Sequence, residues 1–127
     1  MKGRVKKSFT HAFNGVTQLY REENNFRIQC IIALCVLIVS CIIQLSVTNF
    51  IAIIIVIGFV LALELTNAAL ERSLDAIEPR LAGFVKSAKD MMAGAVLVTS
   101  CMAVIVGVLI IAPTLFYWIA PLLRTLF

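Results

Sequence analysis

Four polar residues recur at helical spacing where a long apolar run gives way to a charged segment: Glu64, Asn67, Glu71 and Asp75. A helix advances about 100° per residue, so these four side chains lie within roughly 80° of one another. A charged carboxylate near the centre of a membrane span costs about 2.5–3.5 kcal/mol on insertion scales, which favours a functional role. The spacing therefore predicts one helical face that carries three carboxylates and an amide.

The chemistry available to this face is proton and metal chemistry. A carboxylate drawn out of water becomes a stronger base, so Glu64 is a candidate general base for a lipid hydroxyl. Glu71, nearer the water, suits Mg²⁺, which binds one or two carboxylates and keeps its other positions for water and phosphate. Lys89 can neutralise phosphate oxygens. These groups together favour phosphoryl transfer, in which positioning and charge neutralisation supply most of the catalysis.

The same residues permit other interpretations. Residues 71–78 could form the solvated end of a long helix, and Glu64 with Asn67 could join helices by hydrogen bonds. An intramembrane glutamate also suits a small proton-coupled transporter, and a catalytically silent helical scaffold is a further alternative. The sequence contains neither a Walker A motif nor the motifs of protein kinases. Spacing alone thus allows a kinase without singling one out.

The composition indicates an integral membrane protein. Hydrophobic residues make up 61% of the 127 residues and the mean hydropathy is +1.02, well above the apolar share of about 45–50% in soluble domains. Crossing a hydrocarbon core of about 30 Å takes about 20 residues. Three stretches qualify: about 28–47, 50–70 and 91–116. We predict a single all-α membrane domain over 1–127, a polytopic bundle of three transmembrane helices behind an N-terminal surface helix.

Lys and Arg residues predict the orientation. Six precede the first span, four lie between the second and third spans, and Arg124 alone lies elsewhere. The positive-inside rule places both basic segments in the cytoplasm, with the N-terminus inside and the C-terminus outside the cytoplasmic membrane of a prokaryote. The net charge of +4 is then a topology signal. No nucleic acid partner is expected, because no binding motif accompanies the charge.

An amphipathic helix over about 8–24 is predicted ahead of the first span. Its apolar face, within about 60°, consists of Phe9, Phe13, Val16 and Tyr20, and such a helix lies on a membrane surface. The adjacent carboxylates of Glu22 and Glu23 need a compensating cation beside an anionic bilayer. Arg21 and Arg27 are the candidates nearest in sequence. Local ion pairing and a functional acid are equally open interpretations.

The breaks between spans are placed by turn residues and prolines. We expect the first two spans to be joined at Thr48-Asn49, and the second helix to run through Ile77, since Pro79 disfavours a helical conformation at the residue before it. Residues 81–88 then form a short amphipathic approach. The third helix is expected to open with Lys89-Asp90.

Three blocks resemble a known family, the small prokaryotic diacylglycerol kinases with the related undecaprenol kinases. Residues 64–75 resemble its signature Glu-x-x-Asn-Thr/Ser-Ala-Ile-Glu-x-x-x-Asp. Residues 88–97 resemble a second block, Ala-Lys-Asp followed by small residues and Ala-Val-Leu. Residues 23–28 resemble a third, an acid shortly before an aromatic residue and Arg-Ile. The resemblance covers nearly the whole chain and is closer to the polyprenol kinases than to the other branch.

The resemblance implies a homotrimeric kinase that moves the γ-phosphate of ATP to the hydroxyl of a membrane lipid, diacylglycerol or undecaprenol, at active sites shared between subunits. It also implies the following roles. Glu64 resembles the catalytic base, which meets the substrate, and Asn67 its support; Glu23 and Glu71 resemble ligands of the ATP-bound Mg²⁺; Lys89 and Asp90 resemble nucleotide contacts; and Arg4 resembles a basic residue that contacts nucleotide or substrate.

The chain departs from the family pattern at four positions. Ala68 replaces Thr or Ser, Gln29 replaces His or Glu, Ala82 replaces a loop His, and His11 replaces a frequent Tyr. None of these changes removes a proposed catalytic carboxylate. They bear on nucleotide affinity and on the choice of lipid.

Overall fold

A computed structural model of the chain describes residues 2–76 and 82–124, which form four α-helices. The helices are α1 (Lys2–Glu22), α2 (Asn24–Ile42), α3 (Val47–Asp75) and α4 (Ala82–Arg124). By length and composition, α2, α3 and α4 could each cross a membrane. The predictions of an all-helical chain and of three spanning helices are confirmed.

Glu23 alone separates α1 from α2. Its backbone is extended, with φ −108° and ψ 117°. Its N–H donates to the Leu19 carbonyl at 2.8 Å, which closes α1, and its carbonyl accepts from the Arg27 N–H at 3.2 Å, which opens α2. The helix expected over 8–24 therefore differs at both ends, since α1 begins at Lys2 and stops at Glu22. Glu23 lies at the corner between two helices.

The C-terminus of α2 is a Schellman motif centred on Gln44. The backbone of Gln44 is left-handed, with φ 52°. Its N–H donates to the Cys41 carbonyl at 3.2 Å, and the N–H of Leu45 donates to the Ser40 carbonyl at 3.2 Å. These two bonds satisfy carbonyls that the end of a helix leaves without partners. They stop α2 at Ile42.

Helix α3 then begins with a side-chain cap. The Ser46 hydroxyl accepts a hydrogen bond from the Asn49 N–H at 3.4 Å, as expected of a serine at the N-cap. The turn thus lies at residues 43–46, and the turn predicted at Thr48-Asn49 was wrong, because both residues belong to the first turn of α3. The first predicted span, 28–47, runs past the end of α2 for the same reason.

Helix α4 is longer than predicted. It begins at Ala82, so the prediction that the third helix opens with Lys89-Asp90 was wrong; the amphipathic approach is its first two turns. It continues through Pro113, beside which the Thr114 hydroxyl donates to the Ile110 carbonyl at 3.1 Å. Membrane helices tolerate proline when neighbouring groups satisfy the freed backbone. The predicted extension of the second helix to Ile77 lies outside the described residues.

Helix α3 is the centre of the fold, since it packs against α1, α2 and α4. A small core lies where the first three helices meet: Leu19, Phe26 and Ala68 are buried, with Cys30 and Leu61 against them. Most large apolar side chains of α2, α3 and α4 are exposed on the single chain. Such a surface suits a protein surrounded by hydrocarbon or by other helices.

Candidate functional site

The predicted polar face of α3 follows a gradient of burial. Glu64 is buried, with 8% of its surface exposed. Asn67 and Glu71 are half-buried, and Asp75 at the last residue of the helix is exposed. Glu64 lies one turn from Ala68 in the core. The face therefore leads from water at the helix end to a carboxylate among packed side chains.

Two further carboxylates and an amide surround Glu64. The Gln29 side chain of α2 lies beside the Glu64 carboxylate, and Glu23 and Glu71 are close enough for their charges to act on it. Three predicted site residues from the α1–α2 corner and from α3 thus converge. Gln29 had been noted only as a departure from a family pattern, although a polar residue in an apolar span already signals an inward-facing side chain.

Asn67 links the two ends of the cluster. Its Nδ2 donates to Glu71 Oε1 at 3.2 Å, one helical turn away. This bond orients Glu71 and agrees with the predicted supporting role. The Oδ1 of Asn67 and the Oε1 of Gln29 are both buried with no hydrogen-bond partner in the described part of the chain. Buried acceptors without partners are costly, so each is suited to a donor that arrives with a ligand.

Arg72 compensates the carboxylates at the corner. Its Nη2 lies 2.6 Å from Glu22 Oε2 and 4.0 Å from Glu23 Oε1. The expectation that Arg21 or Arg27 fills this role was wrong: Arg27 instead donates to backbone carbonyls of α1, and its guanidinium lies 5.9 Å from the centre of the Tyr20 ring. Sequence reasoning missed Arg72 because it is 50 residues from Glu22 along the chain.

Lys89 lies at the water-facing end of the same face. Its Nζ donates to Asp75 Oδ1 at 2.5 Å, which ties α4 to the end of α3. Asp75 is one turn beyond Glu71, so Lys89 is near the cluster within one chain. Asp90, the next residue, is exposed.

Arg4 is remote from this cluster in one chain. It is exposed on α1, 18 residues before Glu22, which at 1.5 Å per residue amounts to about 27 Å of helix. An arginine side chain cannot cover that distance. The structure therefore brings together Glu23, Glu64, Asn67, Glu71 and Lys89, but not Arg4.

The residues present fit a magnesium ion that is shared with phosphate. No group of three His, Cys, Asp or Glu side chains in residues 2–76 and 82–124 could hold a metal ion by itself. Glu23 and Glu71 offer two carboxylates on adjacent elements, which is the number that Mg²⁺ takes when water and phosphates complete its shell. The donor set is one of hard oxygen atoms.

Comparison with known sequences identifies the class of this site. The family model of prokaryotic diacylglycerol kinase matches residues 10–111. The undecaprenol kinase of Bacillus subtilis is 38% identical over 112 residues, 88% of this chain and 91% of that protein. The diacylglycerol kinase of Synechocystis is 33% identical over 109 residues, 85% of this chain and 62% of that protein.

The chain belongs to the prokaryotic diacylglycerol kinase family, and with it to the membrane lipid kinases. The resemblance drawn from the three sequence blocks is thereby confirmed. The matched range contains every predicted site residue except Arg4. Together with the three apolar helices, the family indicates a multi-pass membrane protein. Family and relatives do not favour the transporter alternative.

Proposed function

We propose that the protein uses ATP and Mg²⁺ to phosphorylate the hydroxyl of a membrane lipid. The observation that carries this proposal is the position of Glu64: a buried carboxylate on a membrane-spanning helix, with the carboxylates of Glu23 and Glu71 close by. A base held apart from water can act on a lipid hydroxyl without competition from hydrolysis. Membership in a lipid kinase family supports the same conclusion.

Glu64 acts as the general base. The lipid oxygen forms a bond to the γ-phosphorus while the bond from that phosphorus to the bridging oxygen of ADP breaks, and the hydroxyl proton passes to Glu64. Asn67 holds Glu71 through the bond at 3.2 Å. In phosphoryl transfer the protein mainly positions the reactants and balances charge, which suits a cluster of this kind.

Glu23 and Glu71 are the proposed metal ligands. When bound with ATP, Mg²⁺ neutralises charge on the β- and γ-phosphates. Arg72 limits the mutual repulsion of the carboxylates at the corner while its contact with Glu23 stays long, at 4.0 Å. A long contact leaves Glu23 free to bind another cation.

Lys89, Asp90 and Arg4 are proposed to bind the nucleotide, Arg4 also being a candidate contact of the lipid. Lys89 is next to the cluster through Asp75. Because Arg4 lies about 27 Å along α1 from the corner, we propose that it serves the site of a neighbouring subunit in a homotrimer. The exposed apolar surface of the single chain is compatible with such assembly.

The whole chain, 1–127, is proposed to form one domain in the cytoplasmic membrane of a prokaryote. Positive charge in the N-terminal segment places that end in the cytoplasm and the C-terminus outside. Helix α1 then lies on the membrane surface. Its exposed Phe9, Phe13, Val16 and Tyr20 share a face that can enter the bilayer interface.

Undecaprenol is the proposed lipid, and diacylglycerol the alternative. The relative named undecaprenol kinase matches this chain with higher identity and over more of its own length than the relative named diacylglycerol kinase. The two lipids share a terminal hydroxyl at the membrane boundary and differ in their hydrocarbon chains. Selection between them must depend on the groove that holds the chain.

The direct experiment uses purified protein in mixed micelles with labelled ATP, Mg²⁺ and either lipid. We expect labelled lipid phosphate, more of it from undecaprenol, and none when Mg²⁺ is chelated. Absence of labelled phosphate from both lipids would overturn the kinase proposal. Equal or faster turnover of diacylglycerol would overturn only the choice of lipid.

A further inference from the structure

An apolar groove of about 490 Å³ lies between α2, α3 and α4. Its lining includes Ile32, Val36, Ile53, Val60, Val104 and Gly107. The polar residues of the lining are Gln29 and Ser100. A volume of this size is within the range of about 300–1,000 Å³ that binds small ligands.

The groove leads directly to the candidate base. On α3 the lining residues Ile53, Ile57 and Val60 lie within about 40° of Glu64 around the helix, so the groove and the polar face are one continuous stripe. On α2 the same residue that lines the groove, Gln29, lies beside the Glu64 carboxylate. The apolar space thus ends at the reacting group.

Helix α4 gives the depth of the groove. From the ion pair between Lys89 and Asp75, 11 residues along each helix reach Ser100 on α4 and Glu64 on α3. Ser100 is therefore at the level of Glu64. Gly107 is seven residues further, about 10 Å deeper in the membrane.

We infer that this groove holds one hydrocarbon chain of the lipid alcohol, with the hydroxyl at the Gln29–Glu64 end. The inference rests on the proposed kinase function and adds the place of the substrate chain to it. A hydroxyl at that end is beside the base, and it can donate either its proton to Glu64 or a hydrogen bond to the unpartnered Oε1 of Gln29. The rest of the chain contacts apolar side chains only.

The polar end of the groove favours a lipid over a helix from a second copy of the chain. An apolar helix could cover the walls, but it has no donor for the buried Oε1 of Gln29. A lipid alcohol supplies one donor at the end of an apolar chain, which matches the lining. Hydrocarbon from the bilayer can also enter the groove without crossing water.

Two glycines provide a matched pair of variants. A Cβ added to Gly107 or to Gly58 meets nothing within 4 Å, so a larger side chain fits at either position without displacing a neighbour. Gly107 lines the groove, whereas Gly58 lies about 120° around α3 from Glu64, outside the lining. Gly107→Leu places its side chain in the groove, and Gly58→Leu adds the same side chain elsewhere.

The test measures phosphorylation of geraniol, farnesol and undecaprenol, and of diacylglycerols with short and long acyl chains. The two isoprene units of geraniol reach no further than Gly107. For Gly107→Leu we expect KM to rise by about tenfold for the longer alcohols and by less than about twofold for geraniol. Gly58→Leu should leave all of them within about twofold. The series that responds identifies the natural chain.

Gln29→Leu tests the hydroxyl end of the groove. It should raise KM for every alcohol by roughly 2- to 10-fold, the share of one hydrogen bond, and leave KM for ATP unchanged. Equal effects of Gly107→Leu on short and long alcohols, or a changed oligomeric state in Gly107→Leu alone, would overturn the groove assignment. If the wild-type protein phosphorylates none of the alcohols, the kinase proposal fails instead.

Discussion

The two halves of α3 share one helical face but differ in what that face meets. In residues 47–60 the described side chains include one that is buried, Ile53, and the face borders the open apolar groove. In residues 61–75 Glu64, Ala68 and Leu74 are buried, and ion pairs join the helix to α1 and to α4. The half nearer the polar loop is fixed from three sides, and the other half leaves space.

This difference assigns separate requirements to the two halves. A base and metal ligands must be held in place, which demands packing and ion pairs around Glu64. A flexible hydrocarbon chain needs only an apolar space of adequate size. The continuity of the face lets one lipid occupy both halves at once, its chain along Ile53 and Val60 and its hydroxyl at Glu64.

Glu64→Gln should give the largest loss. Glutamine keeps the size of the side chain but cannot accept a proton, so turnover should fall by roughly 10²- to 10⁴-fold. Lipid binding along the apolar half should persist, with KM for undecaprenol within about threefold wherever turnover remains measurable. Single-turnover assays with labelled ATP would measure both quantities. Undiminished turnover would remove Glu64 as the base and break the division between the halves.

Phe26→Ala tests the packing that fixes the polar half. Phe26 is 3% exposed in the core with Leu19 and Ala68, and its loss should lower the free energy of unfolding by about 3–5 kcal/mol. The matched variant is Phe59→Ala in α3, whose side chain is 63% exposed. It should change stability far less. Thermal unfolding in detergent would compare them, and equal losses would show that the core is not where the fold is held.

Glu23 and Glu22 are neighbours whose carboxylates we expect to differ in function. Glu23→Gln should raise the Mg²⁺ concentration needed for half-maximal activity by at least about tenfold, since even outer partners of a metal site change affinity by 10–100-fold. Glu22→Gln removes the short ion pair with Arg72 and should leave the Mg²⁺ dependence as in the wild type. Mg²⁺ titrations of initial rates would separate the two. A shift in Glu22→Gln as large as in Glu23→Gln would contradict the assignment.

Periodicity and hydropathy predicted α3 and its polar face, because a helical repeat and a membrane span are both local properties. They did not predict the pairing of Arg72 with Glu22, or Gln29 beside Glu64, since both depend on how α1 and α2 pack against α3. The boundary at Gln44 was also missed. Glutamine is an unusual residue in a left-handed conformation, so its type gave no turn signal.

Gln44→Gly should give the smallest effect, and one confined to the end of α2 away from the site. The left-handed conformation at φ 52° costs a non-glycine residue about 1–2 kcal/mol. Glycine avoids that cost but loses more freedom on folding, by about 0.5–1 kcal/mol. We therefore expect a net stabilisation of about 0.5–1 kcal/mol, read as a higher unfolding midpoint, with unchanged turnover and Mg²⁺ dependence. A change in turnover would mean that the turn communicates with Glu64 along α3, and the two halves would then not be independent.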